Sequence, residues 1–260
     1  MPLYVVATPI GNLSDVTPRM REVLGSVALV LAEDTRRTRT LLSAMDIPSP
    51  SLLSCHAHNE AERVGRVMAS LAAGESIAIV CDAGTPCISD PGGIIVAAAH
   101  AAGHRVETIA GPSSITAALA ASGFPASPFH FLGFPPRKAG PMKRWLKESS
   151  AFPGTLVILD SGRRCGKLID ALVQIMPDRE ACICRELTKR HETILRGRIP
   201  DLPVEAQRGE VVIVVGPGAA AEAEVLTPTG PDLKSIAGAL AKRWGCTKRE
   251  AYQRLLELER

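Results

Sequence analysis

Over the first 215 residues, short apolar runs rich in Val and Ile alternate with longer stretches whose apolar positions recur at helical spacing. A period of two that gives way repeatedly to a period near 3.6 predicts parallel α/β structure, in which each strand is returned to the sheet by a crossover helix. Strands are expected at 3–7, 27–32, 76–81, 105–109, 155–159, 181–185 and 211–215. Helices are expected at 60–73, closed by Gly74, and at 92–102, closed by Gly103, since glycine accepts the left-handed conformation that ends a helix. Thr17-Pro18 supplies a capping hydroxyl followed by proline at the first helical position.

From Thr108 to Pro136 no residue is charged when His130 is neutral, which is long enough to suggest a membrane span. Pro112, Gly123, Pro125 and Pro128 cut it into short pieces, so no span is expected and two α/β domains are expected to meet there. Their expected bounds are 1–112 and 113–218. Gly216-Pro217-Gly218 and the Pro228 to Pro231 stretch mark 219–232 as a linker. Beyond it, Ile236, Ala237, Leu240 and Ala241 share one face of a helix over 233–243, which Gly245 stops. Thr247-Lys248-Arg249-Glu250 has the form of a capping box opening a second helix, with Ala251, Leu255 and Leu258 inward. This makes 233–260 a helix-turn-helix with a basic second helix, or equally a two-helix lid.

Composition narrows the classes. The 260 residues, 46% hydrophobic and 22% charged, exclude a disordered chain, a collagen and a small disulfide scaffold. Aromatics are 3% of the chain, so a nucleic-acid surface must rest on charge and shape. Residues 1–230 hold 23 basic and 23 acidic side chains, whereas 231–260 hold seven and four, so the whole net charge of +3 belongs to the tail. Seven cysteines without a C-x-x-C pair read as reduced thiols of a cytoplasmic protein. The first residues lack a basic segment and reach Pro9 and Gly11 too soon for a signal peptide.

Open α/β proteins place ligands beyond the carboxyl ends of their strands, so the turns there carry the chemistry. The turn after 3–7 has one glycine where a dinucleotide fingerprint needs three, and Gly162 to Leu168 falls short of a phosphate loop. Most informative is Asp82-Ala83-Gly84-Thr85-Pro86-Cys87-Ile88-Ser89-Asp90-Pro91-Gly92-Gly93, too long and too stiff for a mere connection. Gly111-Pro112-Ser113-Ser114 repeats the idea with fewer groups. Acids and bases gather in Glu33-Asp34-Thr35-Arg36-Arg37 and in Arg185-Glu186-Leu187-Thr188-Lys189. His56 and His58 have no third ligand at a metal spacing, so no metal is expected, and Cys182 and Cys184 read as core.

Taken in order, these segments resemble a known family: Pro9 to Leu13, Glu33 to Arg36, His58-Asn59-Glu60, Asp82 to Pro86 with Ser89 to Gly92, Gly111 to Ser113, Gly133-Phe134 with Pro136-Arg137-Lys138, Arg185 to Lys189, and Gly209-Glu210. The chain is similar to the tetrapyrrole-methylase (class III) superfamily, and within it to the cytidine 2′-O-methyltransferases of small-subunit ribosomal RNA. That resemblance covers nearly the whole chain, tail included. It implies two α/β domains with S-adenosylmethionine between them, in a homodimer, acting on 16S ribosomal RNA or the assembled small subunit. Carried over residue by residue, it implies cofactor contacts at Pro9, Asp82, Ala83, Gly84, Thr85, Pro86, Ile88, Ser89, Ser114 and Ile115. In the second half it implies Leu159, Arg185, Gly209, Glu210 and Val211.

The ribose hydroxyl is a weak acid, and the strand-end candidates for its base are Asp34, Glu186 and Lys189, with Asp34 favoured because Arg36 beside it could hold a phosphate. Arg36, His58, Asn59, Arg137, Lys138, Lys248 and Arg249 are the candidate RNA contacts. The chain departs from the family at Asp160, Gly162-Arg163 and Ala57, where a Glu, a Pro-His pair and an acid are usual. A tetrapyrrole C-methyltransferase on the same fold, or a regulator that binds nucleic acid without catalysis, are the competing expectations.

Overall fold

The computed structural model describes residues 1–203, 209–218, 237, 241 and 247–258. Its first sheet holds β1 (Leu3–Val6), β2 (Leu29–Ala32), β3 (Ser51–Ser54), β4 (Ile77–Val80) and β5 (Val106–Ile109). All are parallel, in the order β3-β2-β4-β1-β5. The crossovers contain α1 (Pro18–Ser26), α2 (Thr35–Ala44), α3 (Glu60–Ala72) and α4 (Gly93–Ala101). Thr17 Oγ1 accepts the Met20 N–H at 3.2 Å, as the capping pattern predicts, and α1 then buries Met20, Val23 and Leu24.

Strand periodicity splits the apolar runs between two cores. Leu29, Leu31, Ile77 and Ile79 face one layer with Val67, Leu71 and Ile95, while Val30, Ala32, Ala78 and Val80 face the other with Met20, Leu24 and Leu42. Helices on both faces leave no solvated side, which is why β2 and β4 are apolar at every position. Truncating the fully buried Leu31 to Ala should cost about 2–5 kcal/mol.

The second sheet joins β6 (Phe129–Gly133), β7 (Thr155–Ser161), β8 (Glu180–Arg185), β9 (Thr193–Arg198) and β10 (Glu210–Val215) in the order β6-β7-β10-β8-β9. Here the parallel expectation fails. Only β6 and β7 run parallel, and β10 lies antiparallel between β7 and β8. An apolar run carries no direction, and the short link from Arg185 to Thr193 leaves room only for a hairpin. The strands that the pattern does not predict are β3, β6 and β9, and each lies at a sheet edge. Half-exposed edges need no continuous apolar run, as the mostly exposed β9 shows.

One face of this sheet is covered by α5 (Ser114–Ser122), with Ala118 and Leu119 on Val157, Cys182 and Val214. The other is covered by α6 (Ala139–Ser149) and α7 (Gly162–Ile175), which bury Leu146, Leu168 and Leu172. Ile10, from the turn after β1, is buried in the α5 layer, so the two sheets share a core. Residues 1–216 form one unit and 217–260 another.

In the second unit, α8 (Lys248–Leu258) begins with the expected capping box. Glu250 Oε2 accepts the Thr247 N–H at 2.8 Å, and Thr247 Oγ1 accepts the Glu250 N–H at 3.3 Å. Ala237, Ala241 and Ala251 are buried together. The expected linker over 219–232, the stop at Gly245 and the rest of the expected helix over 233–243 lie outside the described residues. No helix among the described residues is long and apolar enough to cross a membrane.

Candidate active site

The turns at the carboxyl ends of β1, β4 and β5 are fastened to one another before any ligand is considered. Thr8 and Gly84 exchange backbone hydrogen bonds of 2.8 and 3.1 Å. Thr8 Oγ1 donates to the Cys81 carbonyl at 3.2 Å, and Thr85 Oγ1 to the Pro112 carbonyl at 3.3 Å. Gly84 holds φ at +83°, a conformation that side chains oppose, and its backbone passes Ile10 closely. The buried Cys81 thiol bonds to the Ala83 and Gly84 carbonyls at 3.3 Å, and burial raises its pKa, which keeps it protonated. Glu60 is a buried carboxylate that accepts the Ile94 N–H at 2.7 Å and so caps α4.

These turns form one wall of a cavity of about 300 Å³, and the second sheet forms the other. The first wall is polar, with Glu33, Arg37, Asp82, Thr85, Ser89 and Asp90. The second is aliphatic except at two points, with Leu159, Cys184, Leu187, Val211 and Val212 around Asp160 and Glu210. Three carboxylates face one guanidinium on the first wall. Burial raises Glu33 and Asp90 above the ordinary carboxylate range, and the nearby Asp82 charge raises both further. A hydrogen bond from the Asp82 N–H at 3.2 Å opposes this at Glu33, and the neighbouring Cys81 thiol opposes it at Asp90. Such a wall favours a cation.

Of the expected cofactor contacts, Asp82, Ala83, Gly84, Thr85, Ile88 and Ser89 line the cavity from the first half. Ser114 and Ile115 join them from the start of α5, and Leu159, Glu210 and Val211 from the second sheet. The rest do not line it. Pro9 lines an adjoining pocket of about 160 Å³ that shares Arg37 and Asp82 with the main one. Arg185 turns toward the β8–β9 hairpin, bonding Thr193 Oγ1 and the His191 carbonyl at 3.2 Å. Pro86 and Gly209 lie outside the lining, and Gly209 is pressed against the Glu186 carboxylate.

None of the three base candidates, Asp34, Glu186 and Lys189, is among the residues that line the cavity. Asp34 caps α2 by accepting the Arg36 N–H at 2.8 Å, and its other oxygen meets Arg36 Nη2 at 2.9 Å. That side-chain bond, followed by the backbone one, lowers its pKa to about 2, which makes it a poor proton acceptor. Lys189 bridges Glu186 at 2.9 Å and Glu210 at 2.8 Å. These partners raise the Lys189 pKa against the opposing effect of burial, so it stays charged, and the Glu210 N–H with Lys189 lowers Glu186.

From the Glu33 to Arg37 segment it is Glu33, one residue before Asp34, that lines the cavity, with Arg37 in place of Arg36. Asp34 stands directly before a helical pattern, where a short carboxylate signals a cap, so the sequence held the clue.

Among the proposed RNA contacts, Arg36 points outward and Asn59 is engaged by its own loop, accepting the His56 N–H at 2.8 Å. His58, Arg137, Lys138, Lys248 and Arg249 are exposed. Asp90 of the long turn also lines the cavity, as do Asp160 and the exposed Phe134, which were not foreseen there. No cluster of three or more metal-ligating side chains occurs among the described residues.

A family model described as tetrapyrrole (corrin/porphyrin) methylases matches residues 2–203. The chain belongs to this family. Its relatives include a protein of Xylella fastidiosa, strain Temecula1, 43% identical over 86% of this chain and 85% of its own. Another, from Mesorhizobium japonicum, is 40% identical over 99% of this chain and 92% of its own. A third, from Thermotoga maritima, is 40% identical over 82% of this chain and 97% of its own. All three are named ribosomal RNA small subunit methyltransferase I.

Among solved structures, the methyltransferase CobJ superposes with a TM-score of 0.63 at 17% identity, covering 84% of this chain and 95% of its own. Uroporphyrin-III C-methyltransferase of Thermus thermophilus, complexed with S-adenyl homocysteine, gives 0.55 at 19% identity, covering 86% and 100%. These likenesses establish the tetrapyrrole-methylase fold of two joined α/β sheets.

Proposed function

We propose that this protein is an S-adenosylmethionine-dependent methyltransferase that methylates the 2′-oxygen of a cytidine ribose in the decoding region of small-subunit (16S) ribosomal RNA. The observation that carries the reading is the two-walled cavity, found in a chain about 40% identical to proteins named for that RNA. The cofactor fits the walls: its heterocycle suits the aliphatic side, and its sulfonium and ammonium suit the carboxylates. Its carboxylate suits the backbone N–H groups at the start of α5. When bound, it supplies a methyl group activated by a positive sulfur.

The chain's own part is positioning. Stitched turns hold the polar wall rigid, so little reorganisation is needed as charge disappears in the transition state. Leu159, Leu187, Val211 and Val212 keep water from one side of the reacting centre. RNA is held by phosphate contacts from Arg137 and Lys138 and from Lys248 and Arg249 of α8. A homodimer and a cytoplasmic setting belong to the same reading.

Mapping 2′-O-methyl groups in the small-subunit RNA of a deletion strain tests it. One cytidine methyl should vanish and return with the gene. An unchanged map would overturn the RNA reading, and methyl transfer to uroporphyrinogen by the purified protein would then favour the tetrapyrrole alternative. A protein with no affinity for S-adenosylmethionine would favour the regulator.

A further inference from the structure

The aliphatic wall carries two carboxylates, Glu210, which Lys189 holds at 2.8 Å, and Asp160, which is 5% exposed. Its Oδ1 accepts the Ser161 N–H at 2.8 Å and lies 3.5 Å from Arg164 Nε. Its Oδ2 is buried and has no hydrogen-bond partner. A buried carboxylate oxygen left without a donor is costly, and in a cavity wall it marks where a ligand's donor belongs. Glu33, across the cavity, already holds a protein donor, the Asp82 N–H at 3.2 Å.

Beside Asp160 is the segment that follows β6. Arg164 donates to the Pro135 and Pro136 carbonyls at 3.1 and 3.0 Å, so one guanidinium ties this segment to Asp160. Phe134, just before those prolines, is 61% exposed and lines the same cavity. The chain has five Phe, two Trp and two Tyr, and an apolar ring left open to solvent at a polar cavity is an unused stacking surface. Arg137 and Lys138 follow directly and are exposed.

We propose that Phe134 and Asp160 form the subsite of the target nucleoside, the ring stacking on its base and the free Asp160 Oδ2 accepting the proton of the ribose 2′-hydroxyl. This rests on the methyltransferase reading above. The O–H bond breaks toward the carboxylate, and the freed oxygen pair forms the bond to the methyl carbon. The carbon–sulfur pair returns to sulfur, leaving a neutral thioether, and protonated Asp160 passes its proton to solvent. Burial raises the Asp160 carboxyl, which suits a group that must take up a proton. Arg164 is a positioning residue that fixes the carboxylate and the stacking segment together.

The test pairs a protein change with a ligand change. Asp160→Asn retains an oxygen for the Ser161 N–H and converts the free oxygen into an amide donor, which cannot accept from a hydroxyl. With S-adenosylhomocysteine bound, affinities are measured for a short cytidine-containing RNA and for the same RNA with one 2′-deoxycytidine. Wild type should prefer the ribose form by roughly 10-fold, the worth of one hydrogen bond to a charged group, and Asp160→Asn should lose that preference. Single-turnover methylation by Asp160→Asn should fall roughly 10²- to 10⁴-fold while calorimetric affinity for S-adenosylmethionine holds.

Phe134→Ala, at a position 61% exposed, should weaken RNA binding by roughly 5- to 150-fold, and Phe134→Tyr should restore it. A wild type indifferent to the 2′-hydroxyl, additive effects of the two changes, or unchanged turnover in Asp160→Asn would each overturn the subsite. So would loss of cofactor affinity in that variant, which would assign the carboxylate to the cofactor. If wild type fails to methylate small subunits while the two changes stay coupled, the RNA target falls and the subsite stands. Methylation with additive changes means the reverse.

Discussion

The two sheets of residues 1–216 meet at one cavity and bring opposite chemistry to it. The first is wholly parallel, so every strand ends on the same side and every following turn gathers there. Turns carry carboxylates, hydroxyls and exposed amides, and this wall is polar. The second is mixed, and its antiparallel β7, β10 and β8 lay strand flesh against the cavity. Strand residues alternate between faces and are apolar where they are covered, so this wall is aliphatic. Strand direction alone thus decides which half of a ligand each wall can hold.

The polar wall depends on its backbone first. Gly84→Val forces a β-branched residue to φ +83° and should disrupt the turn that bonds Thr8. Affinity for S-adenosylmethionine and for S-adenosylhomocysteine should both fall by about 100-fold, as measured by calorimetry. Unchanged affinity would remove this turn from the cofactor site.

A charge change separates the walls more sharply. Glu33→Gln should weaken S-adenosylmethionine, which carries the sulfonium, by roughly 10-fold and the neutral thioether S-adenosylhomocysteine much less. Acidification should act in the same direction. Glu33 and Asp90 have raised pKa values, so they bind a cation when ionised and lose it as the pH falls through those values, above the ordinary carboxylate range. Equal losses for both ligands at every pH would mean that the polar wall does not read charge.

On the aliphatic wall the pattern should invert. Val211→Ala removes about two methylene equivalents of apolar surface and should weaken both ligands alike, by roughly 10-fold at most. A selective loss of S-adenosylmethionine there would break the division between the walls.

The smallest effect belongs to the tail. Removing residues 231–260 should leave cofactor affinity unchanged and flatten the salt dependence of RNA binding, by about 0.7 to 0.9 in slope for each phosphate that the tail neutralises. Damage to cofactor binding instead, with the RNA slope intact, would favour the lid.

Much of this was legible from the amino-acid pattern. Continuous apolar runs marked β2 and β4 because burial on both faces leaves no polar position in a central strand. The long turn from Asp82 to Gly93 announced the polar wall, since its length and its glycines exceed what a connection requires. Thr247 and Glu250 announced the start of α8, since a capping box is complete within four residues. Each of these is decided locally, by burial or by neighbours in the chain.

Tertiary structure alone decided which of two adjacent acids faces the cavity. Glu33 and Asp34 are alike in sequence, yet consecutive residues leave a strand toward opposite sides, and Asp34 is taken by the helix it caps. Strand direction in the second sheet was equally invisible, because an apolar run reads the same both ways. Phe134 and Asp160 are 26 positions apart, and Arg164 links them only once β6 and β7 lie side by side. Local pattern fixes what a segment becomes, whereas the partner of a side chain depends on which distant segment the fold brings within a few ångströms.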